Sequence, residues 1–292
     1  MDLKQFCYTG ERPNLKKISE SAYDFGVKKE EKQEYVEKTE KNIEKIAQLQ
    51  DKLYAESKEG VIIVLQAMDA AGKDGTIKHV MSGVNPQGVN VVSFKQPTSK
   101  ELSHDYLWRV NQALPERGKI GIFNRSHYED VLVTQVHHME NNYVMAERCL
   151  KDGSKKFYEK RYKQIANYEE YLYENSYRIA KIFLNVSKEE QKQRFMARIN
   201  DESKNWKFSK SDVEERKLWD EYHNIYEDVI EATGVKHSPW YIVPADQKWF
   251  ARYVVSEIII KTLEQCDPKY PNIPESEKER LSECKSALEN EQ

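Results

Sequence analysis

Hydrophobic residues fall into five short runs separated by longer polar stretches of helical character. The runs are 61–68 (VIIVLQAM), 90–94 (NVVSF), 120–124 (IGIFN), 179–186 (IAKIFLNV) and 240–245 (WYIVPA). Each run is rich in β-branched residues and none alternates cleanly, which is typical of strands buried on both faces. The polar stretches are long enough for right-handed β-α-β crossovers. The pattern therefore predicts a doubly wound α/β domain around a five-stranded parallel sheet.

The segments that flank this domain carry helical patterns of their own. Residues 30–57 place apolar side chains at roughly helical spacing: Tyr35, Ile43, Ile46, Leu49 and Leu53. This spacing predicts a long amphipathic helix packed on the domain, or else a solvated or dimer-forming helix. Prolines at positions 268, 271 and 274 end the helical pattern, and the tail from residue 275 is predicted to be a peripheral helix. We divide the chain into an N-terminal extension (1–57), the α/β domain (58–265) and a tail (266–292).

Charge and cysteine usage limit the function classes. The 46 basic and 49 acidic residues give a net charge of −3, so any site for a polyanion must come from local clustering and nucleic acid is not an expected partner. The four cysteines have no paired spacing, which indicates reduced thiols in a cytoplasmic protein. No stretch approaches the roughly 20 apolar residues of a membrane helix. We expect no membrane partner.

The stretch 61–78 (VIIVLQAMDAAGKDGTIK) carries the most informative motif. A predicted strand runs into a turn of small residues, then a Gly-Lys pair, then a helical pattern. Small residues let backbone N–H groups surround phosphate oxygens, and the following helix adds the positive end of its dipole. The sequence therefore predicts a phosphate loop, with phosphate contacts from Ala70, Ala71, Gly72, Lys73, Asp74, Gly75 and Thr76.

The match to the pattern GxxxxGK[ST] is incomplete. Ala67 stands in place of the first glycine, and Asp74 stands in place of the serine or threonine that binds magnesium. Asp69 offers a carboxylate that supplies the missing magnesium ligand. Taken alone, a Gly-Lys pair after a strand is equally typical of an ordinary strand–helix turn.

With its neighbouring blocks, this loop resembles the polyphosphate kinase 2 family. The blocks are AMDAAGKDGTIKHV (67–80), FKQPTSKELSHDYLWR (94–109), GIFNRSHYEDVLV (121–133), KNWKFS (204–209) and WYIVPADQKWFARY (240–253). They appear in family order and cover about residues 54–261. The resemblance implies a three-layer α/β/α fold similar to thymidylate kinases, with a helical lid. It also implies magnesium-dependent phosphoryl transfer from inorganic polyphosphate to nucleoside mono- or diphosphates, in a homo-oligomer.

One block departs from the family pattern. Many members have Asp-Arg-Ser-Trp-Tyr-Asn after the third strand, where the aspartate binds magnesium, whereas residues 124–130 here read NRSHYED. Asn124 offers an oxygen without a charge, so its role as a direct metal ligand stays open. Glu129 adds a carboxylate where asparagine is usual. This version resembles the subgroup that phosphorylates both AMP and ADP, forming ADP and ATP, and we expect guanine nucleotides to serve as well.

Residues 191–217 are predicted to form the lid. Eight basic and five acidic residues give this stretch a net charge of +3 in a chain of net −3. Arg194 and Arg198 are four residues apart and so share one face of a helix. A lined, positively charged track suits an extended polyanion, and we assign it to Arg194, Arg198, Lys204 and Lys207. A solvated helical hairpin is the alternative interpretation of the same residues.

The remaining site residues follow from position. Arg125 lies just past the carboxyl end of a strand, where ligands bind in open α/β sheets, so we expect it to contact phosphate. Asp69, Lys73 and Arg125 are the predicted catalytic residues. The predicted nucleotide-binding residues are Phe94, Lys95, Asp105, Arg109, Asn124, Tyr128, Glu129 and Asp130. Aromatic residues at these spacings are also typical of a core, and the carboxylates are equally good partners for nearby arginines.

Two other functions fit the same residues. One is an ATP-dependent nucleotide kinase of the same fold, and the other is a non-catalytic sensor of nucleotides or polyanions. The irregular loop with Asp74 disfavours the first.

Overall fold

Six strands form one sheet in the part of the chain that the structure describes, a computed structural model covering residues 1–291 apart from the side chain of residue 141. The strands are β1 (Cys7–Tyr8), β2 (Gly60–Ala67), β3 (Val89–Ser93), β4 (Ile120–Asn124), β5 (Tyr177–Asn185) and β6 (Trp240–Pro244). Their order is β1-β6-β5-β2-β4-β3. The five strands β2 to β6 pair in parallel, which confirms the predicted sheet, and β1 adds an antiparallel pair at the β6 edge.

Burial explains why the strand runs lack alternation. All eight residues of β2 are buried, and so are all five of β6, because helices cover both faces of the sheet. Leu65 and Ile122 face the helices that begin at Lys73 and Lys248, whereas Lys181 faces the helix that begins at Ser154. The edge strand β3 is only partly covered.

Twelve α-helices surround this sheet in the described chain. They are α1 (Lys32–Glu56), α2 (Lys73–Val80), α3 (Ser99–Leu102), α4 (Trp108–Ala113), α5 (Val133–Val136), α6 (Glu147–Leu150), α7 (Ser154–Glu174), α8 (Lys188–Ile199), α9 (Lys210–Lys217), α10 (Trp219–Thr233), α11 (Lys248–Gln265) and α12 (Glu275–Glu289). Helices α1, α2 and α11 pack together over one face of the sheet, and α7 and α10 pack over the other. This is the three-layer arrangement that the sequence predicts.

The N-terminal segment shares the hydrophobic core of the α/β domain. Ile46 and Leu53 of α1 are buried, and α1 packs along α11, so the packed alternative for this helix is the observed one. Leu3, Phe6 and Leu15, which precede α1, are buried in the same core. Helix α12 has no buried residue and is peripheral, as expected. Within residues 1–291, no helix is both long enough and apolar enough to cross a bilayer.

Candidate phosphoryl-transfer site

The turn between β2 and α2 has the backbone of an anion-binding loop. Ala70 has φ +61° and Gly72 has φ +109°, so the chain reverses sharply before α2 begins at Lys73. Gly72 accepts a hydrogen bond from the Thr76 amide (2.9 Å), which closes the first turn of α2. Because the first N–H groups of a helix have no partner within the helix, they are available to an anion at this position.

Lys73 lies over this turn. Its Nζ donates to the carbonyl oxygen of Ala67 (3.0 Å) at the end of β2. Burial, together with the nearby Arg125 guanidinium, lowers the pKa of Lys73 to about 8. An ammonium that is poorly solvated and repelled by a second cation gains more from a phosphate than an exposed one does. The position suits Lys73 to neutralise phosphate charge.

Arg125 joins the loop to the end of β4. It has φ +62° and donates to Asp69 (2.6 Å) and to Glu129 (2.9 Å). Burial opposes its charge, but the two carboxylates outweigh burial and raise the pKa of Arg125 above its ordinary value. Arg125 therefore keeps its positive charge in the site at every pH of interest.

The oxygen donors beside Arg125 fit magnesium. Asp69 lies in the loop, and Asn124 donates through Nδ2 to Asp74 (2.7 Å), which holds this amide beside the loop. Magnesium takes oxygen ligands, commonly one or two protein carboxylates together with substrate phosphates. Among the described residues, no group of three or more His, Cys, Asp or Glu side chains is arranged to hold a metal without other ligands. An ion completed by substrate phosphates is consistent with this donor set.

A cavity of about 1000 Å³ opens above the loop at the carboxyl ends of the strands. Most of the residues predicted from the sequence line it. They are Asp69, Ala70, Gly72, Lys73, Asp74, Gly75, Thr76, Phe94, Lys95, Arg109, Asn124, Arg125, Glu129, Asp130, Arg194, Arg198, Lys204 and Lys207. The tertiary structure thus brings the loop, the basic segment 191–217 and the ends of three strands around one space.

Three predicted residues lie outside the cavity lining. The prediction for Tyr128 was wrong, because its ring is fully buried edge-on to Trp240 and its hydroxyl donates to Glu169 (2.8 Å). Asp105 is exposed and accepts from the Leu107 amide (3.0 Å), which shapes the start of α4. The N–H of Ala71 donates within the turn to the Met68 carbonyl, so it is not directed at a phosphate.

The cavity lining also has groups suited to a nucleoside. The Arg109 guanidinium lies 5.0 Å over the Phe94 ring and donates to the Lys95 carbonyl (2.8 Å). Burial raises the pKa of Asp130 to about 6, although the nearby Arg161 and Arg109 oppose this shift. Aromatic, carboxylate and guanidinium groups in one cavity can contact a base and the hydroxyls of a ribose.

Sequence reasoning missed two cations of α11 that line the same cavity, Lys248 and Arg252. Arg252 lies beside Gly75, since a Cβ added there would be 3.8 Å from its guanidinium. Burial lowers the pKa of both residues, and Arg194 contributes to the shift at Lys248. The two residues are four apart in the block 240–253 and so share a helix face. This spacing could have identified them from the sequence.

The fold and this site define a phosphate-loop phosphotransferase: a strand–loop–helix turn suited to an anion, a basic segment at residues 191–217 and one shared cavity at the carboxyl ends of a parallel sheet. Residues 29–271 match the family model described as polyphosphate kinase 2. The chain belongs to this family and is a polyphosphate kinase.

Individual relatives agree with the family assignment. The chain is 46% identical over 262 residues to an ADP-polyphosphate phosphotransferase of Rhodopseudomonas palustris, covering 89% of each chain. It is 45% identical over 237 residues to an AMP/ADP-polyphosphate phosphotransferase of Meiothermus ruber, covering 81% of this chain and 84% of the relative. The crystal structure of polyphosphate kinase 2 from Arthrobacter aurescens superposes with a TM-score of 0.82 at 35% identity, covering 94% of this chain and 95% of that one.

Proposed function

We propose that this chain transfers phosphoryl groups from inorganic polyphosphate to AMP and to ADP, forming ADP and ATP, and that guanine nucleotides also serve as acceptors. The observation that carries the proposal is the distribution of charge around the cavity. Lys73 and Arg125 line it together with five further cations, Arg198, Lys204 and Lys207 of the predicted lid segment and Lys248 and Arg252 of α11. A cavity lined by this many cations suits a phosphate polymer better than a single nucleotide.

The cations that the predicted lid segment and α11 contribute differ in their partners, and Lys204 pairs with Asp201. Among residues 1–291, no ion pair joins Arg198, Lys248 or Arg252 to a carboxylate. Arg198 donates to the Lys207 carbonyl (3.2 Å) within the lid segment. Because like charges that line one cavity repel one another, a bound polyanion would relieve this repulsion. We propose that Arg198, Lys204, Lys207, Lys248 and Arg252 bind polyphosphate.

The reaction needs positioning and charge neutralisation more than covalent chemistry. We propose that Lys73 and the N-terminal amides of α2 hold the transferred phosphoryl group while Arg125 neutralises charge beside it. Asp69 would hold magnesium, with Asn124 as a second oxygen donor, and the bound ion would supply further positive charge to the phosphates. An acceptor phosphate is already ionised near neutral pH, so direct transfer requires no strong base.

The acceptor half of the proposal rests on other residues of the cavity lining. They are Phe94, Lys95, Arg109, Glu129 and Asp130. The Meiothermus ruber relative is named for both AMP and ADP, and the Glu129 variant of the motif is expected in enzymes that use both. A homo-oligomeric state and a cytoplasmic location are part of the same proposal, and light scattering of the purified protein tests the former.

Three assays test the proposed function. AMP is incubated with magnesium and either long-chain polyphosphate or ATP as donor, ADP is incubated with magnesium and polyphosphate, and the products are separated by chromatography. The proposal expects ADP and ATP with polyphosphate as donor, and no product with Lys73→Ala or Asp69→Asn at unchanged circular dichroism. Products with ATP alone as donor would instead identify an ATP-dependent nucleotide kinase. Binding of both ligands without turnover would identify a sensor.

A further inference from the structure

Three consecutive carbonyl groups of the phosphate loop point at helix α8. Gln191 donates through Nε2 to the carbonyl of Asp69 (2.9 Å), and Arg194 donates to the carbonyls of Ala70 (3.0 Å) and Ala71 (2.6 Å). Gln191 and Arg194 are three residues apart and so lie on the same face of α8. The loop backbone is therefore bonded along its length by one turn of a neighbouring helix.

All five N–H groups of Arg194 are occupied by the protein. Besides its two bonds to the loop, the guanidinium donates to Glu190 (2.8 Å) and to the carbonyls of Ala245 (2.7 Å) and Asp246 (3.0 Å). Arginine has five such donors, and the side chain is only 7% exposed. The sequence places Arg194 among the polyphosphate ligands, whereas in the structure none of its donors is left for a phosphate.

The direction of these bonds matters for anion binding. A carbonyl oxygen that faced the cavity would repel a phosphate, and a bond to α8 turns it away. Ala70 has φ +61°, a conformation that is unfavourable for alanine unless its surroundings hold it. The bonds from Gln191 and Arg194 act at and beside this residue. They provide the support that keeps the loop in a shape ready for phosphate.

Gln191 also contacts helix α9, further along the predicted lid segment. Its Oε1 accepts from Arg216 of α9 (2.9 Å), and Arg216 donates as well to the carbonyl of Lys188 at the start of α8. Gln191 is 1% exposed, so solvent does not compete for either bond. One buried amide thus connects a lid helix on one side with the phosphate loop on the other.

We propose that Gln191 and Arg194 are positioning residues that fix the phosphate loop, and that Gln191 couples the lid helix α9 to the loop through Arg216. The inference rests on the proposed function, in which this loop holds the transferred phosphates. Arg194 then acts on catalysis through the loop backbone and not as a ligand of polyphosphate. Contact between α9 and Gln191 favours the loop geometry needed for transfer.

Kinetics separate a positioning role from a binding role. Arg194→Lys and Gln191→Met keep the size of each side chain but lose most of its bonds to the loop. We expect kcat to fall about a hundredfold, as for a misplaced reacting group, with the KM for polyphosphate within about threefold of wild type. Arg198→Met, one turn further along α8, is the comparison and is expected to raise the KM for polyphosphate about tenfold. If Arg194→Lys raised that KM as Arg198→Met does, with kcat unchanged, the positioning role would be overturned.

Amide hydrogen exchange tests the same proposal without any substrate. Faster exchange is expected in the peptide that contains residues 69–73 of Gln191→Met, Arg194→Lys and Arg216→Met, because bonds that hold this loop are lost. The double variant Gln191→Met/Arg216→Met should exchange no faster there than Gln191→Met alone, since both changes break one connection. Unchanged loop exchange in Arg216→Met would overturn the coupling to the lid. Unchanged exchange in Gln191→Met and Arg194→Lys would overturn the proposal that these two residues fix the phosphate loop. Both exchange measurements are made without substrate, so their results do not depend on whether polyphosphate is the donor.

Discussion

Arg125 donates a hydrogen bond of 2.6 Å to Asp69, so the first residue after β4 holds the carboxylate of the loop that follows β2. The two strands are neighbours in the sheet, and their parallel register places both carboxyl ends at one edge. The second branch of the guanidinium reaches Glu129 at 2.9 Å. This fork fixes two carboxylates and one cation within a single site before any substrate binds.

Arg125→Lys is expected to lower kcat about a hundredfold although it keeps the charge. An ammonium is a point charge and does not span two carboxylates as the planar guanidinium does. The change therefore loosens Asp69, which acts beside the transferred group, and a small displacement there has a large effect on rate. Steady-state assays with polyphosphate and ADP measure the effect.

Arg178→Lys is the matched control for this variant. Arg178 pairs with Glu59 (2.8 Å) at the opposite edge of the sheet from the cavity. Activity within about twofold of wild type is expected, since an exchange at that distance does not move the reacting groups. Equal losses in the two variants would mean that Arg125 matters only for the fold.

Removing the two α11 cations should weaken the binding of polyphosphate and reduce the salt dependence of that binding. By analogy with nucleic acid, each cation that contacts the polymer displaces a counterion, so the double variant Lys248→Met/Arg252→Met should lower the slope of log KM against log salt by about 1–2. The KM for ADP should change much less. Initial rates between about 50 and 300 mM salt give both slopes.

Lys155→Met/Lys156→Met provides the control for charge alone. Both lysines are exposed near the start of α7 and neither lines the cavity. The double variant removes the same net charge as the α11 pair. If the slope of log KM for polyphosphate against log salt fell equally in both double variants, the global charge of the protein, and not the two α11 cations, would attract the polymer.

Asp130→Asn should stabilise the protein at pH 7 but not at pH 4. Burial raises the folded-state pKa of Asp130 from 3.8 to about 6. Between these values the folded protein binds the proton more tightly than the unfolded chain does, so ionisation of Asp130 reduces stability as the pH rises. The variant avoids this loss, which amounts to about 2–3 kcal/mol at neutral pH.

Urea unfolding of wild type and variant at the two pH values measures this difference. Asp105→Asn is the control, since the Asp105 side chain is exposed and lies outside the cavity. The amide oxygen that this substitution introduces can still accept from the Leu107 N–H, so little change is expected at either pH. A stabilisation by Asp130→Asn that is equal at pH 4 and pH 7 would contradict an ionisation effect.

Lys181→Met is expected to destabilise the fold by about 3–5 kcal/mol, because it leaves a buried carboxylate without its cation. Lys181 and Glu169 are fully buried and form an ion pair beneath the sheet, where Tyr128 and Ser238 also donate to Glu169 at 2.8 Å. Burial opposes the charge of Glu169, but the Lys181 ammonium and His127 together outweigh burial, and the pKa of Glu169 is lowered to about 2. Denaturant unfolding with an unchanged m value measures the loss.

The double variant Lys181→Met/Glu169→Gln tests the cause of this loss. Removing both charges should recover part of the stability, because no uncompensated charge then remains in the core. If the double variant lost more unfolding free energy than the two single variants lose together, the loss would come from packing and not from charge.

The sequence by itself determined the features whose cause is local. The five parallel strands are visible as β-branched runs, and the helix of residues 32–56 is visible as a spacing of apolar residues. The phosphate loop follows from small residues and a lysine between a strand and a helix. The grouping of Asp69, Lys73 and Arg125 follows from the rule that loops after parallel strands meet at one edge.

Only the tertiary structure decided which way the remaining side chains point. Tyr128 follows the same strand as Arg125, yet it turns into the core because Glu169 offers its hydroxyl a buried partner. Arg194 and Arg198 share a helix face in sequence, but the loop carbonyls and their neighbours engage all donors of the first and leave the second facing the cavity. Lys248 and Arg252 join the site from the far end of the chain, because α11 packs beside α2. Such contacts join residues far apart in sequence, and no local pattern records them.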